Sequence, residues 1–206
     1  MLRLCTDKFA PVQVNPHNAG FSRRAGAALA RGQTGAGSLA DMSIAREPVP
    51  VNTDYTGHVS PGSTAARRDV RGASIVKISV GPMDNNAYLI RCADTGCTVL
   101  IDAASEPARL LALLETLGWD LGAIVTTHQH PDHWQALAHI AQTTGATTYA
   151  HPLDAAALPV APDKLLSDGD QLLAGNLSLT AIHLRGHTPG SISLALTDGD
   201  GGHHLF

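Results

Sequence analysis

His128-Gln129-His130-Pro131-Asp132-His133 places three imidazoles and a carboxylate within six residues, directly after an apolar run. Neutral imidazole nitrogen and carboxylate oxygen suit zinc, iron or manganese, and a first-row divalent ion needs several such donors converging from one rigid base. Residues 123–127 read as a buried strand, so the donors leave its end in a tight loop. Pro131 stiffens that loop, and a helix-like run follows from about residue 133 to 144. If the backbone stays extended, the side chains of His128 and His130 share a direction, whereas the turn at Pro131 sends Asp132 and His133 elsewhere. Two neighbouring metal positions are then available. The spacing is not that of a helical zincin, whose two imidazoles lie four residues apart on one helix face.

A second histidine sits at a second strand end. Residues 177–184 alternate apolar and polar, and run into Arg185-Gly186-His187-Thr188-Pro189-Gly190-Ser191. Gly186 and Gly190 permit unusual backbone angles and close approach, and Pro189 fixes the turn, so His187 is a candidate further ligand.

Taken together, residues 127–133 and 186–191 resemble the metallo-β-lactamase superfamily. Residues 81–90, followed by the strand-like residues 98–102, are similar to the opening of its hydroxyacylglutathione hydrolase (glyoxalase II)-like branch, and the likeness covers roughly residues 74–206. The resemblance implies a first metal site of His128, His130 and His187 and a second begun by Asp132 and His133. Asp132 doubles as the candidate catalytic carboxylate. It implies zinc, one ion or two, with iron or manganese as alternatives. In the family a later Asp bridges both ions and a final His completes the second site. Neither matches a residue here, His203 and His204 included, so the expected chain is a C-terminally truncated member whose second site keeps two protein donors.

The implied activity is a metallo-hydrolase, of thioesterase type, acting on hydroxyacyl-thiol conjugates through metal-bound hydroxide, with the ion also stabilising the oxyanion. Lactone or β-lactam hydrolysis, persulfide oxidation at a single iron, and a non-catalytic metal-binding remnant are the alternatives. The expected partner is a small-molecule substrate. A net charge of −4 without a basic stripe argues against nucleic acid, and no apolar run approaches membrane-spanning length. Oligomeric state is left open.

From residue 74 the chain alternates strands (74–80, 87–92, 98–102, 123–127, 147–150) with helices, one carrying Leu110, Leu113, Leu114 and Leu117 on a face that ends at Gly118. The second presents Trp134, Leu137, Ile140 and Ala141 inward. This order favours stacked sheets with helices outside them, an α/β (α+β) class. The resemblance makes it an αββα sandwich with an incomplete C-terminal half. The predicted domain spans residues 73–206. Residues 1–72, rich in Gly, Ala, Arg, Pro and Ser, are expected to be disordered or a mis-annotated N-terminal extension, with Met42 as an alternative start. Ser22-Arg23-Arg24 has the order of a twin-arginine export signal, but Arg31 interrupts the short apolar run behind it. Three sparse cysteines, Cys5, Cys92 and Cys97, favour the reducing cytoplasm, with Cys92 and Cys97 facing each other as thiols across a hairpin turn. Asp102, at a strand end, is a candidate acceptor for a ligand histidine or a turn cap. His139, His151 and His183 are expected to be structural or surface residues, and the segments 168–170 and 198–202 to be turns.

Overall fold

Runs of consecutive buried residues, as in Thr98–Ile101 and Leu121–Thr126, build the centre of the molecule, because the largest sheet is covered on both faces. The computed structural model describes residues 46–206 together with Gln13, Asn15 and Pro16. Eight strands form that sheet in sequential order: β1 (Val51–Asn52), β2 (Ala65–Val70), β3 (Ala73–Val80), β4 (Asn85–Cys92), β5 (Thr98–Ile101), β6 (Leu121–Thr126), β7 (Thr147–Ala150) and β8 (Lys164–Leu165). Strands β2 to β5 pair antiparallel, and β5 to β8 pair parallel. The helices α1 (Pro107–Leu117) and α2 (Leu137–Thr144) make the crossovers from β5 to β6 and from β6 to β7, and a loop with a 3-10 turn at Ala155–Ala157 makes that from β7 to β8. A second, antiparallel sheet runs β12-β11-β10-β9, from β9 (Gln171–Ala174), β10 (Leu177–His183), β11 (Ile192–Thr197) and β12 (His203–Leu205).

Successive strand residues feed two cores. Val76, Ile78, Leu89, Leu100 and Ile124 meet Leu110, Leu113, Leu137 and Ile140 of the helices. Their neighbours Ile90, Val99, Ile101, Ala123 and Val125 meet Leu172, Leu179, Ile192 and Leu194 of the small sheet. The layers are helix, sheet, sheet, the αββ part of the expected αββα sandwich, and no second helical layer lies among the described residues.

Several sequence expectations shift. The structured unit reaches upstream of residue 73: Val49, Val59, Ala65 and Ala66 are buried, and β2 pairs with β3 over five residues. Its pattern Ala-Ala-Arg-Arg-Asp-Val hides this, since Arg67 lies over the Trp119 ring, 5.6 Å from its centroid, and pairs with Asp69. Gln13 also bridges to Gln171 of β9. Met42 and the Ser22-Arg23-Arg24 segment lie outside the described residues. The first helix ends as predicted, with Gly118 at φ 64°. The second begins at Leu137 rather than 133, because Pro131–His133 closes a 3-10 turn and the N–H groups of Gln135 and Ala136 donate to Ala104 and Ala103. Cys92 is a buried free thiol, as expected, whereas Cys97 is disulfide-bonded.

Ile124 has no exposure and Ile182 on the outer face of the small sheet is 36% exposed. Truncation of Ile124 to Ala is expected to cost about 2–5 kcal/mol in urea unfolding, and the same change at Ile182 less than about 1 kcal/mol.

Candidate metal centre

Three parallel strands, β5, β6 and β7, deliver their carboxyl ends to one edge of the large sheet, the side on which open α/β sheets carry their ligands. Asp102 follows β5, Thr127 and the histidine loop follow β6, and His151 to Asp154 follow β7. The loop between β10 and β11 closes over this edge and brings His187, and Ile192 N–H donates to the Thr127 carbonyl at 2.9 Å.

His128, His130 and His187 converge. Nε2 of His187 lies 3.1 Å from Nε2 of His128 and 3.1 Å from Nδ1 of His130. The donor nitrogens of all three lie within 4.8 Å of one another. His128 is buried, His130 half-buried and His187 exposed, so the cluster is walled on the protein side and open towards solvent. Nitrogens bound tetrahedrally to zinc at 2.0–2.1 Å stand roughly 3.4 Å apart, so a small contraction or expansion of this cage accommodates a divalent ion. The donor set fits such an ion.

One carboxylate orients the buried half of the cluster. Oδ1 of Asp102 accepts the Thr127 N–H at 2.8 Å, and its Oδ2 accepts the Thr127 hydroxyl at 2.8 Å. With its proton committed to Asp102, the Thr127 oxygen accepts from His128 Nδ1 at 3.0 Å, which leaves the His128 Nε2 lone pair facing the cluster. Oδ2 of Asp102 also accepts from His133 Nδ1 at 2.7 Å. Asp102 holds a positive φ of 58°, a strained backbone of the kind found where side chains must be aimed. The turn residue and the ligand acceptor are thus one residue.

Asp132 and His133 form a separate pair beside the trio. His133 Nε2 stands 3.6 Å from Asp132 Oδ2, and the Asn85 amide donates at 2.8 Å both to that oxygen and to the Asp132 carbonyl. The His133 ring centroid lies 4.0 Å from that of His128. The five expected site residues are therefore neighbours, but only the three histidines share one cage.

The remaining residues sort clearly. Trp134 packs on the helix-side core, and its indole N–H donates to the Gln129 carbonyl at 2.8 Å, pinning the ligand loop. His139 is exposed. His151 and His183 stack with centroids 4.2 Å apart, outside the trio. Asp154, which sequence reasoning missed, is buried among donors from both ligand loops.

Electrostatics follow from this crowding. Burial first, then the like charge of His133, His187 and His130, pushes His128 down to about 4, against the pull of Asp102. Burial also opposes charge on His133, but the Asp102 hydrogen bond and the charges of Asp102 and Asp132 outweigh it and raise its pKa. The hydrogen bond from Asn85 lowers that of Asp132. At neutral pH His128 is a neutral imidazole beside an ionised Asp132.

A family model described as the metallo-beta-lactamase superfamily matches residues 80–201, more than half of the chain and all of the residues above. The chain belongs to the metallo-β-lactamase superfamily. Among curated relatives of this superfamily member, the hydroxyacylglutathione hydrolase of Fuscovulum blasticum is 41% identical over 110 residues, 53% of this chain and 42% of that one. The chain therefore spans less than half the length of that relative. A β-lactamase from Chitinophaga pinensis superposes with a TM-score of 0.56 at 27% identity, covering 67% of this chain and 59% of that one. TTHA1623, solved in a di-iron-bound form, gives a TM-score of 0.50 at 34% identity, covering 57% and 65%. No helix of the described residues is long and apolar enough to cross a membrane.

The depressed His128 pKa has a sign that can be tested. Between about 4 and 6.5 the unfolded chain binds a proton at residue 128 that the folded chain does not, so stability falls as pH drops through that window and levels off below it. In chelator-treated protein, melting temperature is expected to decline over this range, and more steeply than in the His128→Gln variant.

Proposed function

We propose that this chain carries the metal centre of a metal-dependent hydrolase that cleaves small thioesters, hydroxyacyl conjugates of a thiol, with zinc at His128, His130 and His187 and iron or manganese as alternatives. The observation that carries the reading is the approach of these imidazole nitrogens to 3.1 Å in two of their three pairings. Three protein donors with an open side match a catalytic rather than a structural zinc site. When bound, a divalent ion there supplies an acidified water and a Lewis acid for a carbonyl oxygen.

The protein's own groups do the rest. His128 and His133 are held in one tautomer through Asp102, so their Nε2 atoms stay available as donors. The ionised Asp132 carboxylate, fixed by Asn85, lies beside His133 and is placed either to complete a second cation site with it or to hold a proton during turnover. Pro82, Met83, Asn85, Ser105 and Asp132 line a small cleft next to this pair, with the 67% exposed Met83 at its lip.

The thioester assignment draws on the relatives named hydroxyacylglutathione hydrolase. The solved neighbours named β-lactamases favour a second reading, β-lactam hydrolysis at the same centre. The di-iron neighbour is the ground for testing iron beside zinc.

Purified protein loaded with zinc or iron is expected to hold at least one ion per chain and to release thiol from an S-2-hydroxyacyl-glutathione. Chelation should abolish turnover, and His130→Ala should reduce it by more than the roughly 10–100-fold typical of losing an outer hydrogen-bonding partner. Lactone or β-lactam turnover in place of thiol release overturns the substrate assignment. Stoichiometric metal without turnover of any of the three makes the chain a metal-binding protein only.

A further inference from the structure

Asp154 lies just beyond β7, 1% exposed, and its carboxylate is shared between the two ligand loops. Oδ2 accepts the Gln129 N–H at 3.0 Å and the Thr188 hydroxyl at 2.5 Å, and Oδ1 accepts the Gly190 N–H at 2.7 Å. Gln129 stands between His128 and His130, and Thr188 follows His187. Every one of these donors is therefore within three residues of a trio histidine, and two are adjacent to one. We infer that Asp154 is the positioning residue that sets the distance between the two loops, and so the size of the cage that His128, His130 and His187 present to an ion. This rests on reading those histidines as a metal site.

Three observations support a dedicated role. A buried carboxylate is costly unless its oxygens are filled, and among the described residues no Lys or Arg pairs with this one, so loop donors do the filling. The Asp154 backbone is itself anchored, its N–H donating to the His151 carbonyl at 3.1 Å, so the carboxylate starts from a fixed point. Finally, a Cβ at Gly190 would meet Asp154 Cγ and N at 2.8 Å, and Gly190 does not have a positive φ. Glycine is there for the approach of the carboxylate, not for an unusual backbone angle. The Thr188 side chain is fixed in turn by Ser191, 2.6 Å away between hydroxyls.

The geometry calls for a carboxylate and not an amide. Donors approach both oxygens, so an Asn in either orientation turns its NH2 towards a backbone N–H, of Gln129 or of Gly190, and loses that bond. One loop would then come loose while most of the side-chain volume stays in place.

Zinc affinity, measured by competition with a chromophoric chelator, and the visible d–d spectrum of the cobalt-substituted protein test this without reference to activity. Asp154→Asn is expected to weaken zinc binding about 10–100-fold and to shift or diminish the cobalt bands. Thr188→Val, which removes one of the three bonds, should weaken binding by about 3- to 10-fold. The double variant should lose less than the product of the two. Wild-type affinity and an unchanged cobalt spectrum in Asp154→Asn overturn the inference, as does a loss no larger than that of the Leu179→Ala core variant, which lies in the inter-sheet core. Should Asp154→Asn not fold, an unaltered affinity and spectrum in Thr188→Val overturn it equally. Failure of the wild-type protein to bind zinc instead removes the metal-site reading itself.

Discussion

Imidazole nitrogens 3.1 Å apart repel strongly once protonated, so the trio at 128, 130 and 187 persists only where its buried member stays neutral. Burial of His128 and the proximity of three other histidines secure this, and together they press its pKa down to about 4. The same features that disfavour a proton leave lone pairs aimed at a common point. A site built this way has already met part of the cost of cation binding, because no proton must leave His128 first.

The scaffold explains why histidines so distant in sequence meet. Parallel strands end on the same side of a sheet, whereas antiparallel neighbours end on opposite sides. β5, β6 and β7 are adjacent and parallel, so Asp102, His128 and Asp154 emerge side by side. The small sheet packs on the other face of these strands through Leu179, Ile192 and Leu194, and its β10–β11 loop brings His187 across the edge. Layer packing thus fixes the gap that the hydrogen bonds then trim.

Much of this was legible in the sequence, and the rest was hidden for identifiable reasons. Strands buried on both faces announce themselves as apolar runs, and the Leu pattern before Gly118 and the histidine loop after β6 stand out by composition and spacing. Asp102 was recognisable because it sits at a strand end. β2 was not, because Arg67 serves there as a cover for Trp119 and the strand shows no apolar alternation. The late start of α2 reflects carbonyls of Ala103 and Ala104 taking N–H groups that a local helix would otherwise use, a tertiary contact that no local pattern records. Asp154 carries no motif at all, since its partners are backbone groups and a hydroxyl 25 to 36 residues away.

The two carboxylates that flank β6 divide the work. Asp102, on the β5 side, acts on rings: through Thr127 and directly, it fixes which nitrogen of His128 and His133 bears the proton. Asp154, on the β7 side, acts on backbone and hydroxyl donors of the loops, and touches none of the three rings. Tautomer and spacing are separate requirements of a metal cage, since a correctly protonated ring at the wrong distance binds as poorly as a well-placed ring facing the wrong way. Because the carboxylates belong to different strands and share no donor, either requirement can be perturbed while the other is left intact.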